Sequence, residues 1–256
     1  MGGKQHGALG TQVVRYLSFF LMLFVAAISA ADTPWSDARQ LVLVTTSSWD
    51  ANQGQLRTFS MTDRGWQLAA PAVQISIGRE GAAWGIGLHP EQRGPQKEEG
   101  DGRSPAGVFR IGDAFGYAPS ARTRLRYDAM TESDYCIDVA SSPLYNRIVD
   151  AKVVGKHAIE GSTEPMRRDI HVAGDHRYQL GFIVEHNGRH EAGKGSCIFA
   201  HIWKAPGVPT EGCTAMTEER MRELLAWLDR THKPIFVLLP EQEYERVRSD
   251  WELPTL

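Results

Sequence analysis

Short apolar runs rich in β-branched and aromatic residues recur along the chain, separated by clusters of glycine, proline, asparagine and aspartate. In this pattern the apolar runs indicate strands and the clusters indicate turns. Seven runs predict strands, at residues 41–46, 56–61, 73–77, 108–111, 136–139, 182–184 and 197–202. Such a succession of short strands is typical of a mainly β domain.

One segment near the carboxyl end has the pattern of an amphipathic helix. Its apolar residues follow the i, i+3, i+4, i+7 spacing of a buried stripe and are Met221, Leu224, Leu225 and Leu228. Thr217 precedes the stripe as a helix cap, and Pro234 interrupts the pattern before an apolar run at residues 235–239. The sequence therefore predicts one clear helix, followed by a closing strand.

The amino terminus has the organisation of a secretory signal. Two basic residues flank an almost entirely apolar run at residues 16–28, and small residues suited to a signal peptidase stand at positions 29–31. The alternative is a membrane anchor, but this run is shorter than the roughly 20 residues that span a bilayer. We expect residues 1–31 to be a signal peptide and residues 32–256 to be a single domain, exported to the periplasm or cell envelope without a membrane span.

The charge balance and the cysteine spacing argue against two classes of function, nucleic-acid binding and zinc binding. The chain of 256 residues has 28 Lys and Arg against 31 Asp and Glu, a net charge of -3. Because no broad basic surface is available to hold phosphates, nucleic-acid binding is not expected. The three cysteines lack the paired CxxC spacing of a structural zinc site. No metal or cofactor is therefore expected.

Cys213 is the strongest candidate for a catalytic residue, within the sequence Thr210-Glu211-Gly212-Cys213-Thr214. It lies between a predicted strand and the predicted helix, so we expect its thiol beside a helix N-terminus and free backbone N–H groups. Both features favour the reactive thiolate, and the N–H groups suit an oxyanion. Gly212 allows close approach of a substrate carbonyl. The alternative for any single cysteine is an inert buried residue.

His201 is the candidate base. It stands twelve residues before Cys213, near the end of a predicted strand, and a loop with Pro206 and Gly207 follows. A chain that folds back there is able to bring the imidazole against the thiol, as nucleophilic catalysis by cysteine requires. The alternative is a hydrogen-bonded structural histidine.

Three segments together resemble the YkuD-like L,D-transpeptidase catalytic domain family. They are Ser104-Pro105-Ala106-Gly107-Val108-Phe109, the strand-end His201, and Thr210-Glu211-Gly212-Cys213. The first matches the T/S-P-x-G-x-F segment of that family, and the other two match its histidine followed by an S/T-x-G-C nucleophile motif.

The likeness covers most of the chain after the signal, roughly residues 40–240. Residues 97–105 and 195–203, together with the nucleophile motif T-E-G-C-T-A-M, are similar to an exported bacterial branch of the family. The resemblance implies a β-sandwich or distorted barrel, with the Cys213 loop in a groove and few helices.

The resemblance also implies a reaction on peptidoglycan stem peptides. Cys213 would attack the carbonyl at the carboxyl side of the meso-diacid residue in a tetrapeptide stem, expel the terminal D-alanine and form a thioester. His201 would take the thiol proton and later activate the acceptor. The backbone N–H groups of Gly212, Cys213 and Thr214 would hold the oxyanion.

Three outcomes of this chemistry are open from the sequence. An amine of a neighbouring stem as acceptor gives a 3-3 crosslink, and a free D-amino acid gives exchange of the terminal residue. Water as acceptor makes the protein an L,D-carboxypeptidase. A separate alternative, without catalysis, is a peptidoglycan-binding module that kept the fold.

Two positions depart from the family pattern. Glu211 replaces a histidine before the glycine, and Ala215 replaces an arginine or asparagine after the cysteine. A carboxylate at 211 is expected to raise the thiol pKa unless it faces away or holds a cation. The absent arginine or asparagine removes a hydrogen-bonding partner for substrate. The expected substrate contacts are Trp203, Thr210, Glu211, Arg103 and Trp84, with Lys97 as a further cationic candidate.

The other two cysteines, Cys136 and Cys197, both fall in predicted strands. In an oxidising compartment a disulfide between them would leave Cys213 as the free thiol. Two separate buried thiols fit the sequence equally well.

Overall fold

The computed structural model describes residues 1–4, 7 and 33–256, and Asp32–Leu256 make up one compact unit. The predicted signal peptide, residues 1–31, lies almost wholly outside the described residues, so it and the domain boundary stay predictions. In the described part of the chain, no helix has the length and apolar character that a membrane crossing needs.

The described residues form thirteen strands and four short α-helices. The strands are β1 (Gln40–Thr46), β2 (Gln53–Thr62), β3 (Gly65–Ser76), β4 (Ala82–Trp84), β5 (Ser104–Gly116), β6 (Tyr127–Ala129), β7 (Asp134–Cys136), β8 (Ile148–Asp150), β9 (Glu164–Pro165), β10 (Leu180–Val184), β11 (Phe199–Ile202), β12 (Thr214–Met216) and β13 (Ile235–Pro240). The helices are α1 (Ala151–Val154), α2 (Arg168–His171), α3 (Glu218–Trp227) and α4 (Glu241–Val247).

The larger sheet closes on itself as a distorted barrel. Eight strands follow one another in the order β10, β11, β12, β3, β2, β1, β13 and β5, and β5 pairs again with β10. The short strands β4 and β6 attach to β5. The predicted mainly β class and barrel-like architecture are confirmed.

The core lies on both faces of β1 and β13. Every residue of these two parallel strands is buried, which explains why their sequences are continuous apolar runs instead of alternating patterns. The apolar stripe of α3 packs into the same core, and its cap Thr217 accepts a hydrogen bond from the N–H of Arg220. The predicted helix is therefore confirmed.

The helix α4 was not predicted. Tyr244 and Val247 are its only buried residues, and charged residues occupy most of its other positions. Two apolar positions do not make a stripe that periodicity detects. The helix forms because these two side chains reach the core of the barrel.

A second, three-stranded sheet has the order β8, β7, β9 and lies in the long connection between β6 and β10. A disulfide between Cys136 of β7 and Cys197, just before β11, joins this sheet to the barrel. Of the two alternatives for these cysteines, the structure therefore shows the paired one, and Cys213 is the free thiol.

Gly107 shows why the T/S-P-x-G-x-F segment needs its glycine. Its φ is +133°, and a Cβ at this position would lie 1.9 Å from Cε1 of the buried His89. The next residue, Val108, donates its N–H to Nδ1 of the same imidazole. The glycine therefore lets β5 pass directly over a buried side chain.

We predict that Gly107→Ala destabilises the protein, because neither the strand nor the buried ring has space for a methyl group. The expected loss is about 1–3 kcal/mol in the free energy of unfolding, as for other overpacked sites. Chemical denaturation measures it. Gly188→Ala is the matched control, since a Cβ there meets nothing within 4 Å. Equal stability of the two variants would contradict the prediction.

Candidate active site

Two buried hydroxyls hold the loop that carries Cys213. Thr210 donates its Oγ1 proton to the Cys213 carbonyl at 2.6 Å, and Ser104 donates to the Gly212 carbonyl at 2.7 Å. Ser104 also accepts the N–H of Gly78 at 2.9 Å. The first residue of the T/S-P-x-G-x-F segment therefore fixes the backbone of the nucleophile loop.

Gly212 lies close to the loop that contains Arg103. A Cβ at this position would lie 3.0 Å from the carbonyl oxygen of Arg103, and the φ of +155° is one that residues with side chains rarely adopt. Both features favour glycine at residue 212.

The position of Cys213 relative to the helix differs from the sequence prediction. Strand β12 follows Cys213 directly, and α3 begins only at Glu218. Because β12 pairs with β11, the residues after the cysteine are extended strand. The thiol therefore does not lie at the N-terminus of the helix, and the helix dipole does not act on it in the way expected.

The sulfur of Cys213 lies in a small cluster of apolar and aromatic residues. The N–H of Phe199 donates to Sγ at 3.3 Å, and the thiol faces the carbonyl of Cys197 at 3.5 Å. A carbonyl oxygen only accepts, so the sulfur carries its proton in this arrangement. Only 9% of the Cys213 surface is exposed.

Burial raises the pKa of Cys213 to about 12, and the negative charge of Glu164 acts in the same direction. The hydrogen bond from Phe199 lowers the pKa but does not offset these two effects. The prediction of a thiolate in the resting protein is therefore wrong. The cysteine is a neutral thiol because the polypeptide around it excludes water.

His201 lies in β11 and is buried, with 3% of its surface exposed. Its Nδ1 is 2.8 Å from the carbonyl of Ile202, so Nδ1 carries the proton and Nε2 keeps its lone pair. Burial lowers the pKa of His201 to about 4. The imidazole is therefore neutral and has the tautomer that a base needs at Nε2.

The parallel pairing of β11 with β12 brings the segments that carry the two residues together. Ala200 is aligned with Thr214 and His201 with Ala215. Cys213 immediately precedes β12, and its sulfur accepts the N–H of Phe199, the first residue of β11. The Cys213 loop therefore lies next to the strand that holds His201.

The three backbone N–H groups expected to stabilise an oxyanion differ in their hydrogen bonding. Gly212 donates its N–H to Oγ1 of Thr210 at 3.1 Å, within the loop. Thr214 is the first residue of β12 and belongs to the ladder with Ala200. In the described residues, the Cys213 N–H has no hydrogen-bond partner. Cys213 is thus the better candidate donor, and the expectation for Gly212 is not met in this geometry.

Glu211 faces away from the thiol. Its side chain is 84% exposed and forms an ion pair with Arg79. The carboxylate thus faces away from the thiol and also pairs with a cation. These are the two conditions under which we expected it not to raise the thiol pKa. The other departure, Ala215, is buried beside His201 in the strand pair.

The two cationic side chains expected to contact substrate bind other groups of the protein. Arg103 donates to the carbonyl of Ala82 at 2.9 Å and pairs with Asp50 at 2.8 Å. Lys97 is buried in an ion pair with Asp101. Both side chains satisfy protein groups, so the structure does not present either as a free cation for substrate.

The two expected tryptophan contacts occupy different environments. Trp84 is buried, donates its indole N–H to the Arg93 carbonyl at 3.0 Å, and packs edge-on against Trp49 and Trp251. Trp84 also lines a cavity of about 370 Å³ beside the 84–97 loop. Trp203 follows β11, is half-buried, and stays a candidate contact.

Sequence reasoning missed a group of residues beside the Cys213 and His201 pair. The ring of Tyr178 lies 5.2 Å from the ring of His201 and 5.4 Å from that of Phe199. Glu164 and Arg168 form an ion pair of 2.9 Å next to it. The available signal was the density of charges between residues 164 and 177, which by itself does not show where that segment packs.

We predict that Cys213 reacts slowly with iodoacetamide at neutral pH. Its pKa is raised, so the thiolate fraction is small near pH 7 and grows as the pH rises. The expected rate increases about tenfold per pH unit between pH 7 and 10, as for a thiol far below its pKa. Mass spectrometry of the alkylated protein measures it, with Cys213→Ala as the blank. A rate that levels off below pH 8 would contradict the assignment of a neutral thiol.

We also predict that the disulfide contributes strongly to stability. It closes a loop with a sequence separation of 61 residues. The chain-entropy model then gives a loss of about 4 kcal/mol for the double variant Cys136→Ser/Cys197→Ser. Denaturant unfolding of this variant beside Cys213→Ala, which keeps the disulfide, measures the difference. Equal stability of the two proteins would show that the cross-link constrains little.

Comparison with known proteins supports the family resemblance. The model of the family described as YkuD, L,D-transpeptidase catalytic domain, matches residues 48–237. No curated protein sequence matches the chain significantly.

A crystal structure described as the helical cell shape determining protein Pgp2 from Campylobacter jejuni aligns with 79% of this chain, at 16% identity and a TM-score of 0.39. The chain spans about half of that protein, since the alignment covers 48% of it. The family match extends over most of the compact unit and includes β11, β12 and the loop between them. The chain belongs to the YkuD family of L,D-transpeptidase catalytic domains.

Proposed function

We propose that this protein is a cysteine-dependent acyltransferase that acts on peptidoglycan stem peptides, with Cys213 as nucleophile and His201 as base. The proposal fits the family, whose catalytic domains are of the L,D-transpeptidase type. The observation that supports it is the pairing of β11 with β12, which brings the loop of the only free thiol of the described residues next to the strand that holds the buried His201.

The first step transfers the Cys213 proton to Nε2 of His201 as sulfur attacks the peptide carbonyl. Nδ1 keeps its proton on the Ile202 carbonyl, and this bond stabilises the imidazolium that forms. The Cys213 N–H is the donor available to the oxyanion. When the tetrahedral intermediate collapses, His201 returns the proton to the amine of the departing D-amino acid and a thioester remains.

The second step releases the acyl group from sulfur. An acceptor amine or water gives its proton to His201 as it attacks the thioester, and the thiol is regenerated. An amine of another stem produces a 3-3 crosslink, a free D-amino acid produces exchange, and water produces a shortened stem. The protein needs the same two residues in each case, so the choice among these products depends on which acceptor reaches the thioester.

Proton transfer is strongly unfavourable in the protein without substrate. The pKa of the thiol is raised and that of the imidazole is lowered, both by burial. A bound peptide with its carbonyl against sulfur supplies the bond that compensates this cost. We therefore infer that the nucleophile becomes reactive only as the substrate enters, which protects it from unspecific modification. The family to which the chain belongs acts on peptidoglycan, which supports a location in the cell envelope.

The digestion of purified tetrapeptide muropeptides tests the proposed function. We expect dimers with 3-3 links or tripeptide monomers from the wild type, resolved by liquid chromatography and mass spectrometry. Cys213→Ala should remove every product, because no other free thiol exists in the described residues. His201→Ala should reduce the rate by at least about 10²-fold, the usual scale of general base catalysis.

Labelling with a carbapenem separates an enzyme from a binding module. A competent Cys213 opens the β-lactam ring and adds its full mass to the protein, and Cys213→Ala does not. Product formation by Cys213→Ala would refute the mechanism. A folded wild type that forms neither product nor adduct would show that the chain is a binding module.

A further inference from the structure

Tyr178 contacts both members of the proposed catalytic pair. Its ring packs edge-on against the imidazole of His201, with centroids 5.2 Å apart. Tyr178 belongs to the same buried cluster as Cys213, and Arg168, the ion-pair partner of Glu164, lies over its ring. The residue is buried, with 4% of its surface exposed. A hydroxyl in such a place needs polar partners, and the groups that this cluster offers it are the thiol of Cys213 and the carboxylate of Glu164.

A charged cluster packs against Tyr178. The guanidinium of Arg168 lies 5.3 Å over the Tyr178 ring, pairs with Glu164 at 2.9 Å, and pairs with Asp175 at 3.0 Å. Arg177 pairs with the same Asp175. Two cations and two anions balance, and their side chains are between 12% and 29% exposed. Long charged side chains become this ordered only when their partners are well placed.

We propose that Tyr178 is a positioning residue for the reaction, with Glu164 and Arg168 as the groups that fix it. Its ring restricts the imidazole of His201, and its O–H donates to the sulfur when the proton leaves Cys213. The Phe199 N–H is the second donor to the sulfur. Two donors then stabilise the thiolate in a place that water does not reach. The part of this proposal that concerns His201 rests on the proposed function. The part that concerns the thiol of Cys213 does not.

Glu164 has the opposite electrostatic effect on the sulfur. Its carboxylate opposes ionisation of Cys213, whereas the hydroxyl of Tyr178 favours it. The charged and titratable groups that act on the sulfur are Glu164 of β9, Arg168 of α2 and Tyr178 before β10. Arg168, Asp175 and Arg177 act on His201 of β11. Substitutions of Tyr178 and Glu164 should therefore change the thiol in opposite directions.

The test is the pH profile of Cys213 alkylation by iodoacetamide in two variants. Tyr178→Phe keeps the ring and removes the donor, so its rate at pH 8 should fall roughly tenfold, the scale of one hydrogen bond to a charged group. Glu164→Gln removes the neighbouring anion, so its rate should rise and its profile should move to lower pH. Tyr117→Phe is the matched control, because that hydroxyl bonds the Asp175 carbonyl at 3.0 Å in the same cluster. Its profile should equal that of the wild type.

A purely structural role predicts a different result. Loss of packing would change both variants in the same direction, with lower thermal stability and without a shift along the pH axis. Rates that move together, or a profile of Tyr178→Phe equal to that of wild type, would overturn the proposal. If Tyr178→Phe does not fold, Glu164→Gln alone decides, since an unchanged or lowered rate contradicts it.

Alkylation of Cys213 does not depend on peptidoglycan turnover. A failure of the proposal for Tyr178 can therefore be distinguished from a failure of the proposed function. Opposite shifts in the variants, with no muropeptide product from the wild type, would refute the proposed function and support the contact of Tyr178 with the thiol. In a wild type that forms product, Tyr178→Phe should lower kcat more than it changes KM, because the lost donor acts on the charged sulfur and not on the bound peptide.

Discussion

The parallel pairing of β11 with β12 is the constraint on which the site depends. It fixes the register between two strands that are separated by only a short loop, and the loop is itself tied by the hydroxyls of Thr210 and Ser104. A slip of one residue would turn His201 to the other face of the strand pair. The closed barrel stabilises this register, because β12 also pairs with β3 and β11 with β10.

The site is built from segments that are far apart in the sequence. The barrel contributes Cys213 and His201, and the long connection before β10 contributes Glu164, Arg168 and Tyr178. Polar groups of this connection are neutralised among themselves, which leaves an uncharged thiol and imidazole between them. The candidate site is therefore a neutral thiol and a neutral imidazole with ion pairs nearby, and not a preformed thiolate and imidazolium.

Much of this structure follows from local sequence. Continuous apolar runs identified β1 and β13, the stripe from Met221 to Leu228 identified α3, and the motif residues identified Cys213 and His201. The state of the thiol did not follow, because its pKa depends on burial by residues that are distant in the chain. Tyr178 and Glu164 were missed for the same reason. Their segment is polar and without periodicity, and only the tertiary fold brings it against the barrel.

The disulfide couples the surroundings of the Cys213 thiol to the redox conditions around the protein. Cys197, one of its two half-cystines, provides the carbonyl that faces the Cys213 sulfur, and Phe199 two residues later provides the N–H. The segment that contacts the Cys213 sulfur is thus anchored by a bond that persists only under oxidising conditions. In a reducing environment this segment would lack its covalent anchor to the second sheet, so the surroundings of the thiol depend on the redox state of the compartment.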